Sequence, residues 1–260
     1  MTDAPAPAVA TRIADGVRHI VFDRPAKLNA LTAAELVEVT RLVTDPGPGV
    51  RALVFTGSGD RAFSAGMHVD SFAGIDPPAA RALIGKVRDF VGAVRTSPLP
   101  TMAVVNGYCL GAAFELALAC DLRVSVDTAR YGLPEVKVGI PSVVDAALLQ
   151  EHVGLAMAKE IILTGDLYDA AEMHRMGLLN RVVPRDSLEP TATDLLSRVT
   201  RHTPTVLASQ KRLFETWQNT ALRVGIEASV EEFARVFESP ETRDQVERHR
   251  ASLRQPRSAQ

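Results

Sequence analysis

The chain has 260 residues, of which 46% are hydrophobic and 23% are charged, and its formal net charge is −2. This length and composition suit one large globular domain, or one domain with a small appendage. The near-neutral balance favours neither nucleic acid nor an acidic membrane as a partner, and no apolar run reaches the roughly 18 residues that a membrane span needs. The opening segment "MTDAPAPAVATRIADG" lacks the order of a signal peptide and is predicted to be a short flexible lead.

The first half of the chain alternates strand-like and helix-like segments. Short apolar runs that end at glycine or a polar residue predict strands, at residues 17–23, 50–57, 101–107 and 120–126. Helical periodicity predicts helices over residues 31–43, 78–94 and the apolar stretch near 110–119. Thr32 with Glu35 three residues later has the form of a capping box, which marks a helix start.

The character of the sequence changes after Pro141. Three short helical segments follow, each ended by a glycine, then one more strand at residues 178–183. From Asp186 onward almost everything has a helical pattern. The sequence therefore predicts an α/β core over residues 1–195 and an α-helical C-terminal region over residues 196–260.

The two cysteines, Cys109 and Cys120, do not form a CxxC pattern. A metal site or a redox pair is therefore not expected. Two small buried thiols are typical of a protein in a reducing compartment, so we expect a cytoplasmic location.

The centre of the stretch "NGYCLGAAFELALACDLRV", near residues 110–119, is predicted to be a buried helix, and one carboxylate, Glu115, lies inside that apolar run. Burial disfavours the charged form of Glu115 and raises its pKa, which suits general acid–base catalysis. The small residues of "LGAA" leave the N–H groups of a helix start open to a ligand oxygen. Two other interpretations remain: the small residues allow tight packing, and a neighbouring donor satisfies the carboxylate.

Two further segments indicate a site only weakly by themselves. Gly66 in "RAFSAGMHVD" lies where backbone could approach a ligand, although it could equally be an ordinary turn glycine. Glu135 in "YGLPEVKVGIP" lies in a loop, where binding residues concentrate, although most loop glutamates are simply solvated.

Taken in order and spacing, the segments "FDRPAKLNAL", "FSAGMHV", "NGYCLGAAFELALACDLRVS", "LPEVKVGIP" and "ILTGDLYDAAEMHRMGLLNRVVP" resemble the crotonase family, the enoyl-CoA hydratase/isomerase superfamily. The resemblance implies a crotonase-like ββα spiral core with a helical C-terminal trimerisation region, assembled as trimers or dimers of trimers. It implies an acyl-CoA substrate and no cofactor beyond the coenzyme A of that substrate. Metal and nucleic acid are not expected.

The resemblance also assigns roles. Glu115 would hold or activate a water and Glu135 would exchange a proton with the substrate α-carbon, while the N–H groups of Met67 and Ala112 would bind the thioester oxygen as an oxyanion hole. The implied substrate and coenzyme A contacts are Arg24, Lys27, Ala65, His68, Val69, Asp70 and Gly111. The favoured activity is enoyl-CoA hydration. The alternatives are double-bond isomerisation, another acyl-CoA lyase or hydrolase reaction, an RNA-binding branch of the fold, and a catalytically inert subunit.

The match departs from the family at two places. His68 occupies a position where the family commonly has aspartate, and residues 142–146 read "SVVDA" where the family has a glycine-rich "GAGGT". Valines would narrow the wall of the acyl pocket, and Asp145 would add a third carboxylate. Pro141, Val143 and Asp145 are therefore candidate acyl-pocket residues. The alternative is that Asp145 faces solvent or caps the following helix.

Overall fold

Ten strands form two sheets in the computed structural model, which describes residues 8–254. The larger sheet has the order β1-β2-β3-β5-β7-β10 and the smaller has the order β4-β6-β8-β9. Within the larger sheet only the β1–β2 pair is antiparallel. The strands are β1 Val9–Ala14, β2 Val17–Phe22, β3 Ala52–Gly57, β4 Ala62–Ser64, β5 Thr101–Val105, β6 Tyr108–Leu110, β7 Leu122–Val126, β8 Arg130–Gly132, β9 Tyr168–Asp169 and β10 Arg181–Val183.

The helices cover the core and form most of the C-terminal region. They are α1 Ala33–Thr44, α2 Pro77–Thr96, α3 Ala112–Ala119, α4 Leu149–Val153, α5 Leu155–Thr164, α6 Ala170–Arg175, α7 Leu188–Thr200, α8 Pro204–Asn219, α9 Leu222–Val236 and α10 Pro240–Arg254. Short 3-10 helices occupy Pro25–Lys27, Val69–Phe72, Pro134–Val138, Val144–Leu148 and Arg185–Ser187. None of the helices within residues 8–254 has both the length and the apolar character of a membrane span.

The chain winds through the two sheets as a repeated strand–strand–helix unit. In each turn one strand joins the larger sheet, the next joins the smaller sheet, and a helix follows. The turns are β3-β4-α2, then β5-β6-α3, then β7-β8 with the 3-10 helix Pro134–Val138. This winding confirms the predicted α/β fold with a crotonase-like ββα spiral and a helical C-terminal region.

Helix α3 lies at the centre of the core, and all eight of its residues are buried. Its apolar side chains pack with those of the larger sheet and α2 in one continuous cluster. Phe114 of α3 stands edge-on to Tyr131 of β8, with ring centroids 5.5 Å apart. A helix buried on every side is held rigidly, so the charged group that it carries is held rigidly as well.

The predicted capping box at the start of α1 is confirmed. The Thr32 hydroxyl accepts the Ala34 N–H, and the Glu35 carboxylate accepts the Thr32 N–H at 2.6 Å. Cys109 and Cys120 are both buried free thiols, as expected.

The prediction of a flexible lead is wrong for residues 9–14, which form β1 and pair with β2. The two strands are joined by Asp15 and Gly16, whose φ angles are 51° and 74°. Two consecutive positive φ angles at an Asp-Gly pair are typical of the tight turn that joins hairpin strands. Residues 1–7 of the predicted lead lie outside the described residues.

The predicted boundary at residue 195 falls inside α7. Leu188, Ala192 and Leu196 of this helix are buried, and α7 packs against β5 and β7. The division into residues 1–195 and 196–260 stays a prediction.

Candidate active site

The candidate catalytic groups follow the ends of three neighbouring strands of the smaller sheet. Strands β4, β6 and β8 run parallel and in that order. Met67 lies shortly after β4, Ala112 shortly after β6, and Glu135 shortly after β8. Since the carboxyl ends of parallel strands meet at one edge of a sheet, the fold brings these three segments together.

The direction of the Met67 N–H follows from a parallel bridge to Leu31 of the same chain. Leu31 donates its N–H to the Gly66 carbonyl and accepts the His68 N–H, both at 2.8 Å. Met67 lies between Gly66 and His68. In such a parallel bridge the middle residue directs its own N–H to the side opposite the partner strand. The Met67 N–H is therefore directed away from Leu31.

Gly66 and the start of α3 are in close contact. A side-chain Cβ at Gly66 would lie 2.5 Å from the Leu110 carbonyl oxygen and 3.1 Å from the Ala112 nitrogen. Only glycine allows this approach, and its φ of 79° also favours glycine. Ala112 is the first residue of α3, so its N–H has no partner within the helix. The two predicted oxyanion donors therefore lie on touching segments.

Glu115 lies in the first turn of α3 and is only 3% exposed. Burial raises the pKa of Glu115 well above its usual range, and the charges of Glu135 and Asp145 add to this shift. The nearby backbones of Ala146 and Val143 lower the pKa and so oppose part of the increase. The surroundings therefore disfavour the charged form of this carboxyl relative to an exposed one.

Glu135 packs against the backbone that begins α3. A Cβ at Gly111 would lie 2.7 Å from Glu135 Oε1, and Ser142 donates a hydrogen bond from its hydroxyl to Glu135 Oε2 at 2.8 Å. Burial raises the pKa of Glu135, while the Ser142 hydroxyl lowers it.

Both glutamates border one cavity of about 210 Å³. Its walls are mostly apolar. The predicted site residues that line it are Ala65, Met67, Val69, Gly111, Ala112, Glu115, Glu135, Pro141 and Val143. The sequence interpretation missed Phe72, Ile84, Val87, Pro134, Lys137, Val138, Ile140 and Ser142, which line it as well. Ile84 and Val87 are three residues apart on one face of α2, and that spacing could have indicated them.

The structure places four of the predicted coenzyme A contacts away from the cavity wall. The Arg24 guanidinium pairs with Glu35 at 2.7 Å and donates to the Ala30 carbonyl. Lys27 is exposed. The His68 ring accepts the Asp70 N–H at 3.4 Å, at the start of the 3-10 helix Val69–Phe72. The assignment of these four residues to coenzyme A stays a prediction.

Asp145 is also absent from the cavity lining, and its side chain is 13% exposed. It neither points to solvent nor caps α4: its carboxylate accepts a hydrogen bond from Arg95 of α2 at 3.2 Å. Its role as an acyl-pocket residue stays a prediction, although its charge acts on Glu115.

The two-sheet spiral, with one buried and one partly buried glutamate beyond the strand ends of its smaller sheet, defines a protein of the crotonase fold. The family model described as Enoyl-CoA hydratase/isomerase matches residues 12–255. The chain therefore belongs to the enoyl-CoA hydratase/isomerase family.

Individual relatives agree with this assignment. A probable enoyl-CoA hydratase of Mycobacterium tuberculosis is 36% identical over 233 residues, covering 88% of each chain. A crotonyl-CoA hydratase of Syntrophomonas wolfei is 34% identical over 183 residues, covering 69% of this chain and 70% of the relative. The crystal structure of an enoyl-CoA hydratase from Bacillus anthracis superposes with a TM-score of 0.88 at 26% identity, covering 94% of this chain and 96% of the other.

Proposed function

We propose that this protein is an enoyl-CoA hydratase, which adds water across the 2,3-double bond of an acyl-CoA thioester. One observation carries the proposal: Glu115 and Glu135 face a single cavity together with Met67 and Ala112. Hydration needs one group to accept a proton from water and another to give a proton to carbon. The names of the relatives support the same reaction.

In the proposed mechanism the N–H groups of Met67 and Ala112 bind the thioester carbonyl oxygen. This oxygen gains negative charge when the water oxygen bonds to C3, and fixed donors in a water-poor cavity stabilise it. Glu115, ionised, takes a proton from the water, and Glu135, protonated, gives its proton to C2. The two carboxyls therefore begin the cycle with one proton between them, and a proton returns from Glu115 to Glu135 to complete it. Coenzyme A belongs to the substrate, and the proposed reaction uses no separate cofactor.

Burial raises the pKa of both carboxyls, which suits the pair to the exchange of protons with water and substrate. Two neighbouring carboxyls in a desolvated cavity do not both ionise readily, which favours a pair that shares one proton. Such a pair titrates as a unit, and the pH profile of the reaction should therefore be bell-shaped.

The second candidate is a double-bond isomerase. Isomerisation moves one proton between two carbons, which a single glutamate can do. The second glutamate and its hydrogen bond from Ser142 favour hydration. Other lyase or hydrolase reactions of acyl-CoA remain alternatives because residues 142–146 depart from the family pattern.

The test is the absorbance of crotonyl-CoA, whose conjugated enoyl thioester disappears on hydration. We expect the wild-type protein to abolish this absorbance. We expect Glu115→Gln and Glu135→Gln each to lower kcat by roughly 10²- to 10⁴-fold. Glu151→Gln, at an exposed position of α4, is the control and should keep full activity. Unchanged absorbance together with turnover of a 3-enoyl-CoA would establish the isomerase instead.

We also propose that the chain assembles as a trimer or a dimer of trimers through its C-terminal helices. Large apolar side chains are exposed on α8 and α9, namely Phe214, Trp217, Leu222, Ile226, Val230 and Phe233. Such a concentration of exposed apolar surface is typical of an interaction face. Light scattering should give a mass three or six times the 28.0 kDa of one chain.

The two buried free thiols support the proposal of a cytoplasmic location.

A further inference from the structure

Residues 142–146 form a turn that touches both candidate catalytic glutamates. Ser142 donates its hydroxyl to Glu135 at 2.8 Å. Ser142 and Val143 line the same cavity as Glu115, and the backbones of Val143 and Ala146 lower the pKa of Glu115. The position of this turn therefore sets the surroundings of both carboxyls.

The backbone of the turn is strained at Val144, which has a φ of 55°. This left-handed conformation is unfavourable for a β-branched residue. A residue persists in it only where the surrounding structure holds it there. The partly buried Val144 side chain packs against the core, and the next residue, Asp145, is tied to another element.

Asp145 is tied to α2 and, through it, to the C-terminal helices. Arg95 of α2 donates its Nε–H to the Asp145 carboxylate at 3.2 Å, and its Nη1 pairs with the Glu215 carboxylate of α8. The side chains of Arg95 and Asp145 are 28% and 13% exposed. One guanidinium thus joins three elements: the turn, α2 and α8.

We propose that Arg95, Asp145 and Glu215 are positioning residues that hold the turn, and with it the backbone groups and the charge that act on Glu115. This inference rests on the proposed function of Glu115. None of the three residues lines the cavity, so the trio acts through the turn. It also links α8, in the helical C-terminal region, to the catalytic carboxyl.

The charges that face Glu115 give the proposal a directional test. Glu135 and Asp145 raise the pKa of Glu115, and the backbones of Val143 and Ala146 lower it. Arg95 neutralises Asp145, and Glu215 shares Arg95. Removing the Asp145 charge should therefore lower the pKa of Glu115, whereas removing Arg95 leaves an unbalanced anion and should raise it.

The experiment measures this pKa directly in the folded protein. The infrared stretch of the protonated carboxyl, assigned to Glu115 by its loss in Glu115→Gln, is titrated in wild type, Asp145→Asn and Arg95→Met. We expect shifts of about one pH unit in opposite directions. The reading needs no substrate, so it stays informative even if crotonyl-CoA is not the substrate.

Kinetics and rescue variants separate positioning from folding. With crotonyl-CoA, Arg95→Met should lower kcat by roughly ten- to a hundredfold with little change in KM, and Arg95→Lys should recover part of the loss. Val144→Gly added to Arg95→Met should restore part of kcat because the turn no longer needs to be held under strain, while the pKa shift remains.

Arg212→Met is the matched control, since it breaks another ion pair of α8, with Glu232 of α9, far from the turn in the chain. It should change stability without moving the Glu115 titration. Folded Asp145→Asn and Arg95→Met proteins that titrate as wild type, or that shift in the same direction, would overturn the proposal.

Discussion

Glu135 lies directly against Gly111, because a Cβ at Gly111 would come within 2.7 Å of Glu135 Oε1. Gly111 has φ 55° and ψ −132°, a conformation that essentially only glycine adopts. It directly precedes α3, the helix that carries Glu115. One glycine thus fixes the start of α3 and leaves room for the second carboxyl.

Gly111→Ala should therefore impair catalysis strongly. The added methyl group displaces the Glu135 carboxyl and strains the backbone next to the Ala112 N–H. A displacement of about 1 Å in a catalytic group lowers rates by roughly a hundredfold, so we expect kcat/KM for crotonyl-CoA to fall at least that much. Gly85→Ala is the control, because Gly85 lies within α2 and a Cβ there meets nothing within 4 Å. Equal activities of the two variants would contradict the assigned position of Glu135.

Ser142→Ala tests the hydrogen bond that Glu135 accepts. The hydroxyl stabilises the ionised carboxylate and so lowers the pKa of Glu135. Its removal should raise this pKa by about one unit. The limb of the kcat–pH profile that reports Glu135 should move to higher pH, and Ser142→Thr should move it back.

Ser197→Ala is the comparison for this prediction. Ser197 lies in α7 and donates its hydroxyl to the Asp194 carbonyl, so its loss should leave the profile where it is. An unshifted profile in Ser142→Ala would mean that the hydroxyl does not act on a titrating group.

The features that the sequence predicted correctly are local ones. The capping box at Thr32 lies within four residues, and strands β2, β3, β5 and β7 of the larger sheet run for five or six residues each. The candidate glutamates were found because a charged group in an apolar helix is unusual and because their surroundings resemble a family. The Asp15–Gly16 turn was also a local signal, but it was overlooked.

The features that were missed depend on distant partners. Strand β6 has only three residues, too few to show alternation, and it exists because it pairs with β4 and β8. Arg95 and Asp145 are 50 positions apart in the chain. No pattern of neighbouring residues indicates that this arginine meets that aspartate.

Arg123 should be essential for stability because it satisfies the carbonyls where α3 ends. Its buried guanidinium donates to the carbonyls of Ala117 at 2.9 Å, Cys120 at 2.5 Å and Leu178 at 2.8 Å. Arg123→Met leaves these acceptors buried without a donor. We expect the free energy of unfolding to fall by about 3–5 kcal/mol, since hydrogen bonds from a charged group are among the stronger ones.

Urea denaturation at a fixed protein concentration measures the effect of Arg123→Met. Arg88→Met is the control, because Arg88 is exposed on α2 and pairs only with its neighbour Asp89 among the described ion pairs. A loss below about 1 kcal/mol in Arg123→Met would show that water or another group replaces the guanidinium.

His152 should make the protein acid-sensitive. Burial lowers its pKa from 6.5 to about 4, the positive charge of Arg123 adds to this, and the Leu118 backbone opposes it. Because the folded state binds the proton more weakly than the unfolded state, the stabilising effect is complete above pH 6.5 and is lost as the pH falls toward 4. A shift of this size corresponds to about 3 kcal/mol at the acid end.

His152→Gln should remove that part of the pH dependence. The difference in unfolding free energy between wild type and variant should be constant above pH 6.5 and should change steadily between 6.5 and about 4. Carboxylates that titrate in the same range cancel in this difference. A His152→Gln curve parallel to that of wild type throughout would mean that the imidazole takes up its proton equally well in the folded and unfolded states.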